Sequence, residues 1–238
     1  METIKTAMLF AAGLGTRLKP FTDNHPKAMA IVNGLPLIGH NLKYLKKHGF
    51  EKVVINIHHF GYQIVDYVKN NDFGLKIIIS DEIDKVLETG GGLVKAKELL
   101  DNQPFLVMNV DILTDLDLKP FINSFFNKKP LVLLAVSDRK SSRKLFFNYN
   151  ENQLVGWKNF SNDDKIGQIE NQQPFAFSGI HIIDPKIFDL IEEKGKFSIM
   201  TTYLNLMHNH QILGYDHTGD VLIDVGKPEA ILEAEKYF

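Results

Sequence analysis

Leu9-Phe10-Ala11-Ala12-Gly13-Leu14-Gly15-Thr16-Arg17-Leu18-Lys19-Pro20 closes an apolar run, Ala7 to Ala12, with two glycines and a cation. A short apolar run bounded by glycine predicts a buried strand followed by a tight loop. Glycine lets the backbone turn where a Cβ would clash, and lets it approach a ligand closely. Successive small residues leave N–H groups free to point at phosphate oxygens. The Arg17 guanidinium that follows suits bidentate phosphate contact. Pro26-Lys27 supplies a second cation ten residues on, within reach of the same loop.

Downstream, strand and helix patterns alternate. Pro36 to His48 has Leu37, Ile38, Leu42 and Leu45 at helical spacing, with Gly49 as its C-terminal cap. Strands are predicted at Val53 to Ile57, Leu75 to Ile79, Phe105 to Val110 and Leu131 to Val136, and helices at Gly61 to Val68 and Thr89 to Leu100. Such alternation implies βαβ units: an α/β protein with a Rossmann-like mixed, mostly parallel sheet flanked by helices. Ligands then lie off the carboxyl ends of the strands.

After Ser137 the pattern changes. Short strands are predicted at Leu145 to Asn148, Gln153 to Trp157 and Phe175 to Ile183, with 159–173 as a surface loop. Helices at Lys186 to Ile191 and Ile199 to His208 precede strands at Ile212 to Tyr215 and Val221 to Asp224, then a last helix, Pro228 to Tyr237. No linker or repeat interrupts the chain. The expectation is one domain, 1–238, with a nucleotide-binding half, 1–137, and an extension, 138–238, that holds a second substrate.

Composition narrows the function classes. A formal charge of −2 gives no bulk attraction to nucleic acid or to an anionic membrane. The absence of cysteine excludes a disulfide framework and thiolate catalysis. With no signal-peptide pattern and no apolar run long enough to cross a bilayer, a cytoplasmic protein is expected.

Two familiar phosphate motifs do not fit. Gly13-Leu14-Gly15-Thr16-Arg17-Leu18 lacks the third glycine of the dinucleotide fingerprint, which counts against a Rossmann oxidoreductase, and no P-loop occurs. Asp111 follows the strand ending at Val110, and Asp224 follows Val221-Leu222-Ile223. Two strand-end carboxylates can share one Mg2+, which takes one or two carboxylates plus phosphates and water; each alone also suits a turn. Asp115 and Asp117 read as turn or helix-cap residues before Leu118. Leu87-Glu88-Thr89-Gly90-Gly91-Gly92 is either a helix start with Thr89 as N-cap or a backbone packed flat against a base or sugar. The pair His58-His59 lacks a third ligand, and neighbours in extended chain face opposite ways, so it reads as structural.

The string Ala11-Ala12-Gly13-Leu14-Gly15-Thr16-Arg17-Leu18-Lys19-Pro20, with Pro26-Lys27, resembles the signature of the sugar-1-phosphate nucleotidyltransferases over essentially the whole chain. Their fold is a GT-A-like version of the Rossmann-like sheet. Leu87 to Gly92 and Phe177-Ser178-Gly179-Ile180 are most similar to the N-acetylmuramate-1-phosphate uridylyltransferase branch; other branches have Gly in place of Glu88.

The resemblance implies transfer of a nucleotidyl group from a nucleoside triphosphate, UTP first, to a sugar 1-phosphate. Mannose- or heptose-1-phosphate guanylyl transfer stays open, as does a non-catalytic sugar-nucleotide sensor. It implies nucleotide contacts from Ala11, Ala12, Gly13, Gly15, Thr16, Arg17, Lys27, Glu88, Thr89 and Gly90, with Arg17 and Lys27 catalytic. It implies sugar contacts from Asn109, Gly92, Lys158, Ser178 and Gly179, and Mg2+ on Asp111 and Asp224. Lys158 lies in Trp157-Lys158-Asn159 rather than the family's Glu-Lys-Pro. Val110 replaces the glycine that usually precedes the first metal Asp. Members with a C-terminal left-handed β-helix continue beyond this length, so none is expected here.

Overall fold

The computed structural model describes residues 2–82 and 85–238. The first half runs β1 (Thr6–Phe10), β2 (Ile31–Val32), β3 (Leu35–Pro36), α1 (Leu37–Lys47), β4 (Lys52–Ile57), α2 (Gly61–Asn70), β5 (Lys76–Asp81), α3 (Glu88–Lys95), β6 (Phe105–Asn109), β7 (Ile112–Thr114), α4 (Leu118–Lys128) and β8 (Val132–Ser137). The second half adds β9 (Arg143–Phe147), β10 (Leu154–Asn159), β11 (Lys165–Gly167), β12 (Gln173–Ile183), α5 (Ile199–Leu206), β13 (Ile212–Asp216), β14 (Leu222–Asp224) and α6 (Pro228–Ala234).

The central sheet has the order β11-β10-β9-β12-β6-β1-β4-β5, with β8 beside β12 and β13 beside β8. Strands β6, β1, β4 and β5 are mutually parallel, and β13 joins β8 in parallel. The long strand β12 runs antiparallel to β6, β8 and β9. This is the expected mixed α/β sheet. Burial on both faces explains the unbroken apolar strands. Ala7 and Leu9 of β1 face a core with Ile38 and Leu42 of α1, Ile64 of α2 and Phe121 of α4. Met8 and Phe10 face the other core, with Leu93 of α3 and Tyr203 of α5.

A third cluster decides where the ends of the chain meet. Leu18, Val32, Leu37, Leu113, Ile223, Val225 and Ala234 pack together beneath the loop after β1. The β2–β3 hairpin that contributes to it turns on Asn33-Gly34, both at positive φ, the residues a tight hairpin turn demands.

Several expectations are corrected. Helix α4 was missing from the predicted order, although Asp117 does cap it, accepting from the Lys119 N–H at 2.9 Å. The stretch 159–173 is not all loop: β11 pairs with β10, but its three residues are exposed and polar enough to hide the pattern. The helix predicted at Lys186 to Ile191 is a short 3-10 helix, Pro185–Asp189, capped by Asp184. Asp84 and Ile83 lie outside the described residues. No helix is long and apolar enough to cross a membrane among the described residues.

Candidate active site

The loop after β1 folds back on itself. Gly15 sits at φ +61, and a Cβ there would come 2.9 Å from Cβ of Lys27 and from the Thr22 methyl. Only glycine lets the Lys27 stem pass so close. The Gly15 carbonyl accepts from the Leu18 N–H at 2.8 Å and from the Thr22 hydroxyl at 3.0 Å, which closes the turn. Lys27 is thereby buried beneath the loop, where its ammonium forms an ion pair with Asp111.

Asp111 leaves the end of β6, and β7 begins at the next residue. Strand β14 pairs antiparallel with β7, setting Asp224 opposite Ile112, and the Val225 N–H donates to the Asp111 carbonyl at 2.8 Å. Two carboxylates 113 positions apart are thus brought to adjacent strands. Gly226 completes the junction: a Cβ there would come 2.7 Å from Asp224 Oδ1 and 2.8 Å from Arg17 Nη2. Lys27 thus meets Asp111, Arg17 and Asp224 come together at Gly226, and the Val225 N–H on the Asp111 carbonyl joins the two pairs at one junction of four separate segments. Val110, where a glycine was expected, turns its side chain into the core and places its carbonyl on the Asn41 amide at 2.9 Å.

A cleft of about 530 Å3 opens over this point. Ala11, Ala12, Gly13, Gly15, Thr16, Arg17, Lys27, Glu88, Thr89, Asn109 and Asp111 all line it, together with Lys196, Ser198 and Gly226. Asn56, in its lining, and Glu82, buried behind it, have no motif of their own. The Ala11 N–H donates to Asn56 at 2.7 Å, and Asn56 donates to Glu82 at 2.7 Å; Glu82 in turn accepts from the Leu87 N–H at 3.1 Å. Glu82 is 1 % exposed, so this relay ties the phosphate-type loop to the triple-glycine turn through the interior. The polar end of β4 hinted at Asn56; nothing in the pattern singled out Glu82.

The triple-glycine turn is the expected helix start, that of α3, but its cap differs. Thr89 does not cap its helix; its hydroxyl accepts from the Ile199 N–H at 2.9 Å. The glycines answer to protein packing. A Cβ on Gly90 would lie 2.2 Å from the Phe197 ring, on Gly91 2.1 Å from the Gly195 carbonyl oxygen, and on Gly92 2.6 Å from Glu82. Helix α3 sits directly on the segment leading into α5. Gly91→Ala is expected to lower stability by about 1–3 kcal/mol through that backbone clash; an unchanged melting temperature would overturn the packing account. Glu88 adopts φ +59, a left-handed backbone that costs a side-chain-bearing residue about 1–2 kcal/mol. Its side chain stands 3.4 Å from the Lys196 ammonium.

The expected sugar residues do not all gather at the cleft. Asn109 lines it. Gly179 lies beneath, at φ +74, where a Cβ would come 2.9 Å from the Asn109 amide, so it fixes how Asn109 is presented. Ser178 is fully buried and bonded to His217 Nε2 at 2.7 Å. Burial pushes the His217 pKa down, opposed by Asp220 at 3.5 Å. A buried serine has no path to a substrate, so this trio braces the bend of β12. Gly92 packs on Glu82 and Asn56, behind the lining. Lys158 forms an ion pair with Asp163 in the β10–β11 hairpin and lies over the Phe160 ring, away from the cleft lining. His58 is structural, its Nδ1 2.8 Å from the Glu82 carbonyl.

A model of the nucleotidyl transferase family matches residues 6–238. The N-acetylmuramate alpha-1-phosphate uridylyltransferase of Neisseria meningitidis serogroup B is 34% identical over 96% of both chains. The chain belongs to the nucleotidyl transferase family. It is a sugar-1-phosphate nucleotidyltransferase. This transferase is also 29% identical to the D-glycero-alpha-D-manno-heptose 1-phosphate guanylyltransferase of Campylobacter jejuni, over 94% of this chain and 95% of that one. Its fold superposes on a UDP-glucose pyrophosphorylase solved with UDP-glucose, with a TM-score of 0.80 at 20% identity over 98% of each chain.

Proposed function

We propose that the enzyme transfers a uridylyl group from UTP to an N-acetylhexosamine-type sugar 1-phosphate, N-acetylmuramate 1-phosphate first, releasing pyrophosphate. The observation that carries the transfer chemistry is the meeting of Lys27 with Asp111, and of Arg17 with Asp224 at Gly226, beside the cleft that Arg17, Lys27, Asp111 and Gly226 line. The choice of base and sugar rests on the likeness to the Neisseria enzyme and on Leu87 to Gly92.

The attacking phosphate is already an oxyanion near neutral pH, its second pKa being about 6. No general base is required. An oxygen of the sugar phosphate bonds to the α-phosphorus of the triphosphate as the bond from that phosphorus to the bridging oxygen breaks. The remaining task is to bring anions together and neutralise developing charge. The loop from Ala11 to Thr16 cradles the triphosphate, Arg17 stabilises the departing pyrophosphate, and Lys27 spans the α-phosphate and the incoming phosphate. Asp111 and Asp224 on adjacent strands form a hard-oxygen donor pair that fits Mg2+ alongside phosphate oxygens. Bound there, Mg2+ supplies charge neutralisation at the α-phosphate. Asn109 orients the sugar.

The Campylobacter relative favours a second reading, GTP with a heptose 1-phosphate or a mannose 1-phosphate. Pyrophosphate release with UTP and GTP against N-acetylmuramate-, N-acetylglucosamine-, glucose- and mannose-1-phosphate separates the two. UTP is expected to exceed GTP at least about tenfold in kcat/KM, a difference of about 1.4 kcal/mol. GTP preferred with mannose 1-phosphate would sink the uridylyl reading and leave the transferase intact.

A further inference from the structure

Glu82 carries a carboxylate into the interior and forms no ion pair among the described residues. A buried carboxylate without a cation has to be met by hydrogen bonds. Every polar group of this residue is bonded. Its N–H donates to the Ile57 carbonyl at 2.8 Å, and its carbonyl accepts from the Lys85 N–H at 3.0 Å and faces His58 Nδ1 at 2.8 Å. Its two side-chain oxygens are divided between two partners: Oε1 accepts from Asn56 Nδ2 and Oε2 from the Leu87 N–H.

These bonds have a direction. The Ala11 N–H can only donate, so Asn56 turns Oδ1 to it and is left with Nδ2 for Glu82. The Leu87 N–H can only donate as well. Two donors therefore converge on position 82, and an ionised carboxylate accepts at both oxygens. Glutamine, of the same shape, has one acceptor and one donor, so one of the two contacts becomes mismatched in the interior, where an unmet polar group is costly. The last of the three glycines leaves room for the relay: a Cβ on Gly92 would come 2.6 Å from Glu82 Oε1 and 2.9 Å from Asn56 Nδ2. Both ends of the relay open on the cleft. Phe10, Ala11 and Ala12 line it at one end, Val86, Glu88 and Thr89 at the other, and Asn56 between them.

We propose that Glu82 is a positioning residue for the nucleotide. Through Asn56 it fixes where the phosphate loop begins, and through Leu87 it holds the stretch from Val86 to Thr89 at a set spacing from that loop, so that both grip one nucleoside triphosphate. The proposal rests on the transferase reading above.

Full-length Glu82→Gln, Asn56→Asp and the double variant test this. Glu82→Gln is expected to lower kcat/KM for UTP about 10^2-fold, the cost of a reactant held slightly out of place. The KM for the sugar 1-phosphate should stay within about twofold, because Asn109 is not tied to the relay. Asn56→Asp sets two carboxylates against each other and should lose a similar amount. In the double variant the carboxylate moves to position 56, where it accepts from the Ala11 N–H and from the amide of a glutamine at position 82, whose carbonyl still accepts from Leu87. Every donor again meets an acceptor, and the total charge is unchanged. The double variant is therefore expected to recover about tenfold or more over either single variant.

Wild-type kcat/KM in Glu82→Gln overturns the proposal, and so do losses that simply add in the double variant. A parallel fall in melting temperature and in affinity for both substrates also overturns it, since that marks a purely structural residue. Calorimetric titration of UTP, or of GTP if wild type prefers it, reads the nucleotide grip without turnover. Wild type that binds the nucleotide but releases no pyrophosphate refutes the transferase reading alone. Nucleotide affinity equal in wild type and Glu82→Gln refutes the role of Glu82 alone.

Discussion

Asp111→Asn is expected to lower kcat/KM by on the order of 10^3-fold, about 4 kcal/mol of transition-state stabilisation. Asparagine keeps an acceptor for the Lys27 ammonium but removes the charge that a cation between phosphates requires. Alanine is the poorer probe, because Lys27 is 8 % exposed and would be left buried beside no anion. Asp111→Ala should therefore melt measurably below Asp111→Asn. Asp224 is exposed, so Asp224→Ala should retain the wild-type melting temperature and still lose most of its turnover. Titration of Mn2+ in the absence of nucleotide gives an independent reading, with affinity reduced in both variants. Near-normal activity of either variant in saturating Mg2+ would remove that residue from the metal site.

Arg17→Lys is expected to lower kcat about 10^2-fold with little change in the KM for sugar 1-phosphate. The guanidinium lies against Gly226, on which Asp224 also packs, so its fork stands beside one of the two carboxylates. Lysine supplies the charge as a single point and cannot reproduce two parallel bonds to the departing pyrophosphate. Gly226→Ala is the matching perturbation: its Cβ would displace Arg17 or Asp224 and should reproduce much of the same loss. If Arg17→Lys turns over at the wild-type rate, Arg17 takes no part in the transition state.

Much of this site was legible because its chemistry is local in sequence. Small residues from Ala11 to Gly15 followed by Arg17 are the physical requirements of a loop that wraps phosphates, and β1 ahead of them is apolar on both faces because helices cover both. Strand-end carboxylates are legible for the same reason, since an Asp after an apolar run has few other places to go.

What the sequence determined by itself was the alternation of β1, α1, β4, α2, β5, α3, β6 and β8, though not α4 or the short strands β2, β3 and β7, together with the loop and the charged residues near strand ends. What only the tertiary structure decided depends on segments far apart in the chain that meet side by side. The triple glycine serves the close approach of α3 to Gly195 and Phe197, which no local pattern records. Glu82 matters because β5 ends beside Asn56, and Ser178 is buried on His217, which comes from a strand end 39 residues away. Arg139 reads as one charge in a polar stretch. Its half-buried state, with Nη2 on the Phe177 carbonyl and Nε buried without a partner among the described residues, exists only once β8 and β12 are assembled, because desolvation is a property of the surrounding fold and not of the residue.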